Sequence, residues 1–197
     1  MYLCSQIINN KNMKIMKVAL VIIAIVIVLL VLVYAYFGGF KRIEFRVEAQ
    51  GGEMLVYEEM TGDYGQSGAV TNRVYHALLD NYGIATTQGF GIYYDNPKDV
   101  EKSKLRSEVG CIVADLDSTT TSKLLERFKV KTYPITNSIV TEFPYKGMIS
   151  IFVGIMKVYP ALAQYAKENG YAGGAVMEIY DVPNKTIIYR QELLESK

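Results

Sequence analysis

Residues 18–37 are twenty positions without a charge, mostly Val, Ile, Leu and Ala. As a helix the run would be about 30 Å long, the thickness of a bilayer core. Lys11, Lys14 and Lys17 precede it, and Tyr34, Tyr36 and Phe37 close it, where an interfacial aromatic belt belongs. Gly38 and Gly39 end it. The run has no polar face, which argues against a buried core helix. Val33-Tyr34-Ala35 loosely fits a cleavage site, but the run is longer than the apolar stretch of a secretory signal. The expectation is an uncleaved single-pass transmembrane helix behind a short basic segment, 1–17, with Met13 and Met16 as alternative starts. Lys41, Arg42 and Arg46 balance the three lysines before the span, so the side of the membrane that holds the rest stays open.

From residue 40 onward the pattern changes to short periodic segments. Residues 43–48 alternate apolar and polar and predict a lead-in strand, with 54–60 a second. Val70, Val74, Leu78 and Tyr82 recur every four residues and predict a helix capped by Ser67 and ended by Gly83. Strands follow over 88–94 and 107–115. In the first, Phe90, Ile92 and Tyr94 share one face; Gly89, Gly91 and Tyr93 share the other. The glycine face leaves room for a ligand or a packed helix. A short amphipathic helix over 119–128 and an extended piece over 131–134 lead to a strand at 138–145. A long apolar helix covers 149–169, with Pro160 either kinking it or opening a second segment. A closing hairpin pairs 175–181 with 186–190.

The second half restates the first. Val74-Tyr75-His76-Ala77-Leu78 returns 84 residues later as Val158-Tyr159-Pro160-Ala161-Leu162, and Tyr94-Asp95-Asn96-Pro97 returns 86 residues later as Tyr180-Asp181-Val182-Pro183. One folding unit used twice is the reading, with copies at about 53–115 and 137–190. The expected fold class is α+β: an N-terminal transmembrane helix, then a tandem strand-helix-strand-strand repeat. Its antiparallel sheet carries two main helices on one face and leaves the other face open.

Composition removes several chemistries. Basic and acidic residues number 21 and 20, so no bulk attraction to nucleic acid is expected. Cys4 and Cys111 lie on opposite sides of the apolar run, and His76 is the sole histidine, which leaves a metal site almost no ligands. No Gly-rich phosphate loop, Gly-x-Ser-x-Gly elbow or Cys-x-x-Cys occurs. No metal and no cofactor is expected.

Superposing the two Asp-x-Pro turns sets Glu178 against Ile92. If the closing hairpin pairs Tyr180 with Thr186, Glu178 projects from the open face beside Val176, Tyr180, Ile188 and Arg190. A carboxylate among apolar groups is partly desolvated and attracts a cation. A slip of one residue turns it to the helix side. The plain alternative is a cross-strand ion pair with Arg190, contributing about 0.2–1 kcal/mol.

Four runs, Gly91-Ile92-Tyr93-Tyr94-Asp95-Asn96-Pro97, Phe143-Pro144-Tyr145, Tyr159-Pro160-Ala161-Leu162 with Tyr165, and Glu178-Ile179-Tyr180, resemble the GyrI-like small-molecule-binding domain over nearly all of 40–197. That family is the effector-binding fold of multidrug-sensing transcription regulators, and the apolar run fits its membrane-anchored, testis-expressed branch. The resemblance implies two units related by a pseudo-twofold axis. It also implies a pocket in the groove between them, a glutamate on a late strand and an aromatic lining. Glu178 is the candidate glutamate; Tyr93, Tyr145 and Tyr180 are the candidate neighbours. In this sequence a membrane span stands where regulators carry a helix-turn-helix, so direct transcriptional control is not expected. No long polar tail follows the last strand, so neither is a receptor role in autophagy.

Three functions compete. The first is a membrane-anchored module binding small amphipathic molecules, cations among them, through Glu178 and tyrosine rings. The second is a membrane-tethered adaptor for a protein partner. The third is a hydrolase of strained-ring electrophiles, with Glu178 as catalytic general base and Tyr145 or Tyr180 orienting substrate.

Overall fold

The computed structural model describes the backbone of residues 2–195 and the side chains of 13–194, so Cys4 and Lys11 lie outside the described side chains. In chain order the elements are α1 (Tyr2–Tyr36), β1 (Arg46–Gln50), β2 (Met54–Thr61), α2 (Ser67–Tyr82), β3 (Gln88–Tyr93), β4 (Arg106–Val113), α3 (Ser118–Leu125), β5 (Lys129–Thr132), β6 (Thr136–Pro144), α4 (Met148–Glu168), β7 (Tyr171–Ala172), β8 (Val176–Asp181), β9 (Thr186–Glu192) and β10 (Leu194–Glu195). Two compact units divide them, Met1–Lys41 and Arg42–Lys197.

The first unit is helix α1. Its stretch Met13–Tyr36 is nowhere buried, and its most apolar 18 residues have a mean hydropathy of 3.5, so it is long and apolar enough to cross a membrane.

The second unit holds an eight-stranded antiparallel sheet in the order β1-β6-β9-β8-β3-β4-β2-β5. Its six central strands are two mirrored triplets: β2-α2-β3-β4 supplies one and β6-α4-β8-β9 the other, meeting at β3 and β8. One cross-strand row runs Val56, Cys111, Gly89, Tyr180, Ile187, Phe143. Helix α2 packs on the Val56 and Cys111 end through Val74, Ala77 and Leu78; helix α4 packs on the Phe143 and Ile187 end through Val158, Leu162 and Ala166. Both helices therefore cover one face, and the repeated Val and Leu are core residues worth about 1.5–3 kcal/mol each when fully buried. Burial pushes the Cys111 thiol up to about 12, which leaves it inert. Helix α2 starts one residue earlier than a Ser67 cap would require: Gln66 occupies the cap, and Ser67 accepts a hydrogen bond from Tyr93 instead.

The opposite face is not open. Leu55, Phe90, Ile92, Met177 and Ile179 form a second core there, each at most 2% exposed. Connectivity explains why. Only residues 51–53 join β1 to β2, yet these strands stand first and seventh in the sheet. A flat sheet would hold them about 29 Å apart, and the chain from Gln50 to Met54 reaches about 14 Å at most. The sheet has to curl until its ends approach. Gly51 makes that closure sterically feasible: its φ is 137°, and a Cβ on it would lie 2.1 Å from the Pro134 carbonyl oxygen. Across the curled interior, Arg190 of β9 pairs with Glu53, just before β2, 2.6 Å apart.

Candidate functional site

The closing hairpin pairs Asp181 with Thr186 and Glu178 with Tyr189. This is one residue away from the expected register, and it turns Glu178 to the helix face. The extra pair forms because Asp181 both starts the ladder and ties the turn, accepting from the Asn184 backbone and side chain at 3.1 and 2.9 Å. The plain alternative, an ion pair with Arg190, does not form: Arg190 lies on the other face with Glu53. Ile92 is not the counterpart of Glu178 either. It sits in the inner core, and the residue across the β3–β8 ladder from Glu178 is Gly91.

Glu178 is 2% exposed. Its carboxylate lies under α4 and accepts from the Tyr159 hydroxyl at 2.7 Å and from the Tyr180 hydroxyl. No ion pair joins it to a basic side chain among the described residues. Burial raises its pKa above the ordinary carboxylate value, and the two tyrosine hydrogen bonds offset part of that rise. A buried carboxylate without a cation is costly, and two neutral donors recover only part of the cost.

Four tyrosines surround it. Tyr180 and Tyr189 flank it on β8 and β9, Tyr159 descends from α4, and Tyr93 stands two residues beyond Gly91 on β3. Burial holds all four phenols above their ordinary pKa, and the nearby Glu178 charge adds to the shift, so they stay neutral donors. Tyr159 and Tyr189 meet edge-on at 6.1 Å, as do Tyr145 and Tyr180 at 5.8 Å. The Tyr189 hydroxyl is buried and has no hydrogen-bond partner among the described residues.

Two glycines make room for these rings. A Cβ on Gly91 would lie 2.6 Å from the Tyr93 hydroxyl oxygen, and one on Gly154 of α4 would lie 2.5 Å from that of Tyr189. Gly89 admits the helix itself, since a Cβ there would lie 2.9 Å from the Thr71 methyl of α2. The glycine face thus receives both a packed helix and a tyrosine hydroxyl.

Helix α4 delivers Tyr159. It opens at Gly147, whose φ of 92° suits glycine. Ser150 secures the first turn, donating to the Gly147 carbonyl and accepting from the Lys146 N–H, both at 2.7 Å. Pro160 lies inside a single helix, directly after Tyr159. It removes one backbone donor and crowds the Met156 carbonyl, so the helix is weakest beside the residue that covers Glu178.

Of the residues singled out in the sequence, Glu178, Tyr93 and Tyr180 share this cluster and Tyr145 borders it. Tyr159 and Tyr189 were not among them, and Gly91 was read only as part of a face with room for a ligand or a helix. Tyr159 carried a signal, as the tyrosine of the repeated Val-Tyr-x-Ala-Leu. In copy one its counterpart Tyr75 packs against the α2 core and meets the His76 ring edge-on. Among the described residues no group of three or more His, Cys, Asp or Glu is placed to hold a metal ion.

Residues 46–193 match the family described as the GyrI-like small molecule binding domain. The chain belongs to that family. The GyrI-like chain is 28% identical over 157 residues to human Testis-expressed protein 264, covering 73% of this chain and 48% of that protein. It is 29% identical over 133 residues to the mouse homolog, covering 64% and 41%. The chain thus spans under half the length of these relatives. Among solved structures it resembles the EcmrR C-terminal domain (TM-score 0.56, 11% identity, 78% of this chain and 99% of that one). It also resembles SAV2435 bound to tetraphenylphosphonium (TM-score 0.54, 12% identity, 77% and 94%). At such identities the structures establish a shared fold.

Proposed function

We propose that this GyrI-like domain is membrane-anchored and binds small amphipathic cations between α4 and the sheet, with Glu178 as the charged anchor. One observation carries the reading: a fully buried carboxylate that, among the described residues, is held by two tyrosine hydroxyls and has no cation of its own. Such a group is an unpaired charge, which an incoming cation compensates, or a neutral acid, whose proton the cation displaces. The tyrosine faces would add cation–π contact, about 0.5–2 kcal/mol each when desolvated. The lipophilic cation on SAV2435, a protein of the same fold, is of this ligand class.

The site is closed in this conformation, so binding requires opening. The first half of α4, up to Pro160, is the element to move, because there the helix has lost a backbone hydrogen bond. Tyr159 would swing out with it and release the carboxylate. Tyr93, Tyr145, Tyr180 and Tyr189 stay on the sheet side and would line the opened space.

The test is calorimetric titration of the full chain in detergent with tetraphenylphosphonium. The parent should bind and Glu178→Gln should bind at least tenfold more weakly. Equal affinity in the two proteins would remove Glu178 from the site.

A further inference from the structure

Helix α4 carries a second apolar stripe, facing away from the core. Met148, Ile149, Phe152, Ile155 and Met156 fall within an arc of about 120° at 100° per residue. They are 73, 50, 61, 39 and 79% exposed. The core-facing residues of the same half, Ser150, Gly154 and Val158, lie on the other side. Beyond Pro160 the exposed side turns polar, with Gln164, Lys167 and Glu168, so the stripe belongs to the first half alone. A contiguous exposed patch of this kind marks an interaction surface.

We propose that this stripe docks in the interface of an anionic lipid bilayer, the same membrane that α1 would span. The inference rests on the anchored reading of α1. Three observations select lipid as the occupant. Ten Cα steps separate Tyr36 from Arg46, about 35 Å of chain at most, which keeps the second unit close to any bilayer that α1 crosses. From Tyr145 to Lys167 the sequence has three lysines and no acidic residue, a net positive segment that favours an anionic surface over a neutral one. Helix α4 is also more apolar than its core packing uses: its most apolar 18 residues have a mean hydropathy of 1.3, and only 22% of them are buried. Because it is packed on a sheet along one side, it would lie in the interface with its outer stripe immersed.

The chain has no tryptophan, so Phe152→Trp is a clean reporter at an exposed position. The full-length variant is reconstituted into phosphatidylcholine–phosphatidylserine vesicles with brominated acyl chains. The expected result is a blue-shifted emission that the bromolipid quenches. Both effects should be lost when Ile149→Glu and Met156→Glu are added, and quenching should weaken in phosphatidylcholine alone. A blue shift without quenching that grows with protein density would mean a second copy covers the stripe, and no shift would mean nothing does; either overturns the proposal. Alkaline extraction of the same vesicles reports on α1 separately. If the chain washes off, the span reading has failed, and docking then stands or falls on whether quenching persists on simple addition to vesicles.

Discussion

Gly91 stands directly across from Glu178 in the β3–β8 ladder, and the Tyr93 hydroxyl occupies the space a side chain there would take. The two copies of the repeat thus place a residue without a side chain and a buried carboxylate side by side at the seam between them. Gly91→Ala should displace the Tyr93 ring and destabilise the domain by about 1–3 kcal/mol, as overpacking does. Chemical denaturation of the full chain measures it.

Gly154 and Tyr189 form a similar pair between α4 and β9. Gly154→Ala should cost a comparable amount, and Tyr189→Phe should recover part of it in the double variant by removing the oxygen that the new methyl meets. Tyr189→Phe alone should be nearly neutral, because its hydroxyl has no partner among the described residues. A double-mutant cycle checks all three values.

Tyr159→Phe should behave differently. It removes the 2.7 Å donor to Glu178 and leaves the carboxylate with Tyr180 alone. The expected cost is about 1–3 kcal/mol at neutral pH, with the Glu178 pKa rising further. A cost no larger than that of Tyr189→Phe would show the hydrogen bond to be unimportant.

The raised Glu178 pKa has a definite consequence for stability. Between the ordinary value of 4.5 and its folded value, the folded state holds a proton that the unfolded state has lost. Stability from this group therefore falls as pH rises through that window, and it is fully retained below it. Glu178→Gln lacks the fall, so its Tm relative to the parent should climb as pH is raised from below 4.5 toward neutral. Asp95, Asp117 and Asp181, whose pKa values are lowered, add an opposite trend common to both proteins, so the difference in Tm is the readout.

Much of this fold was legible in the chain because its signals are local. The period-four apolar positions of α2, the long apolar run of α4 and the doubled Val-Tyr-x-Ala-Leu need only neighbouring residues to be read. What misled was register. The two Asp-x-Pro turns suggested an offset of 86 between copies. That even number puts a residue of the helix face, Glu178, against one of the inner face, Ile92. Side chains alternate along a strand, so an error of one residue inverts every assignment of face. The curl of the sheet was equally hidden, because it depends on where β1 and β2 stand in the sheet order rather than on any local pattern. Hence the face expected to be open is a second core, and the carboxylate expected there lies beneath a helix.

The central claim is that Glu178 meets a cation, and it is tested most directly by counting protons. Tetraphenylphosphonium is titrated calorimetrically into the full chain in buffers of differing ionisation enthalpy, at pH values rising from 4.5. If the cation pairs with Glu178, binding converts the neutral acid to a carboxylate and releases a proton across the window of its raised pKa. Affinity then increases with pH, and Glu178→Gln shows neither effect. Binding that releases no proton and keeps the same affinity at every pH, or proton release that survives in Glu178→Gln, would contradict the account.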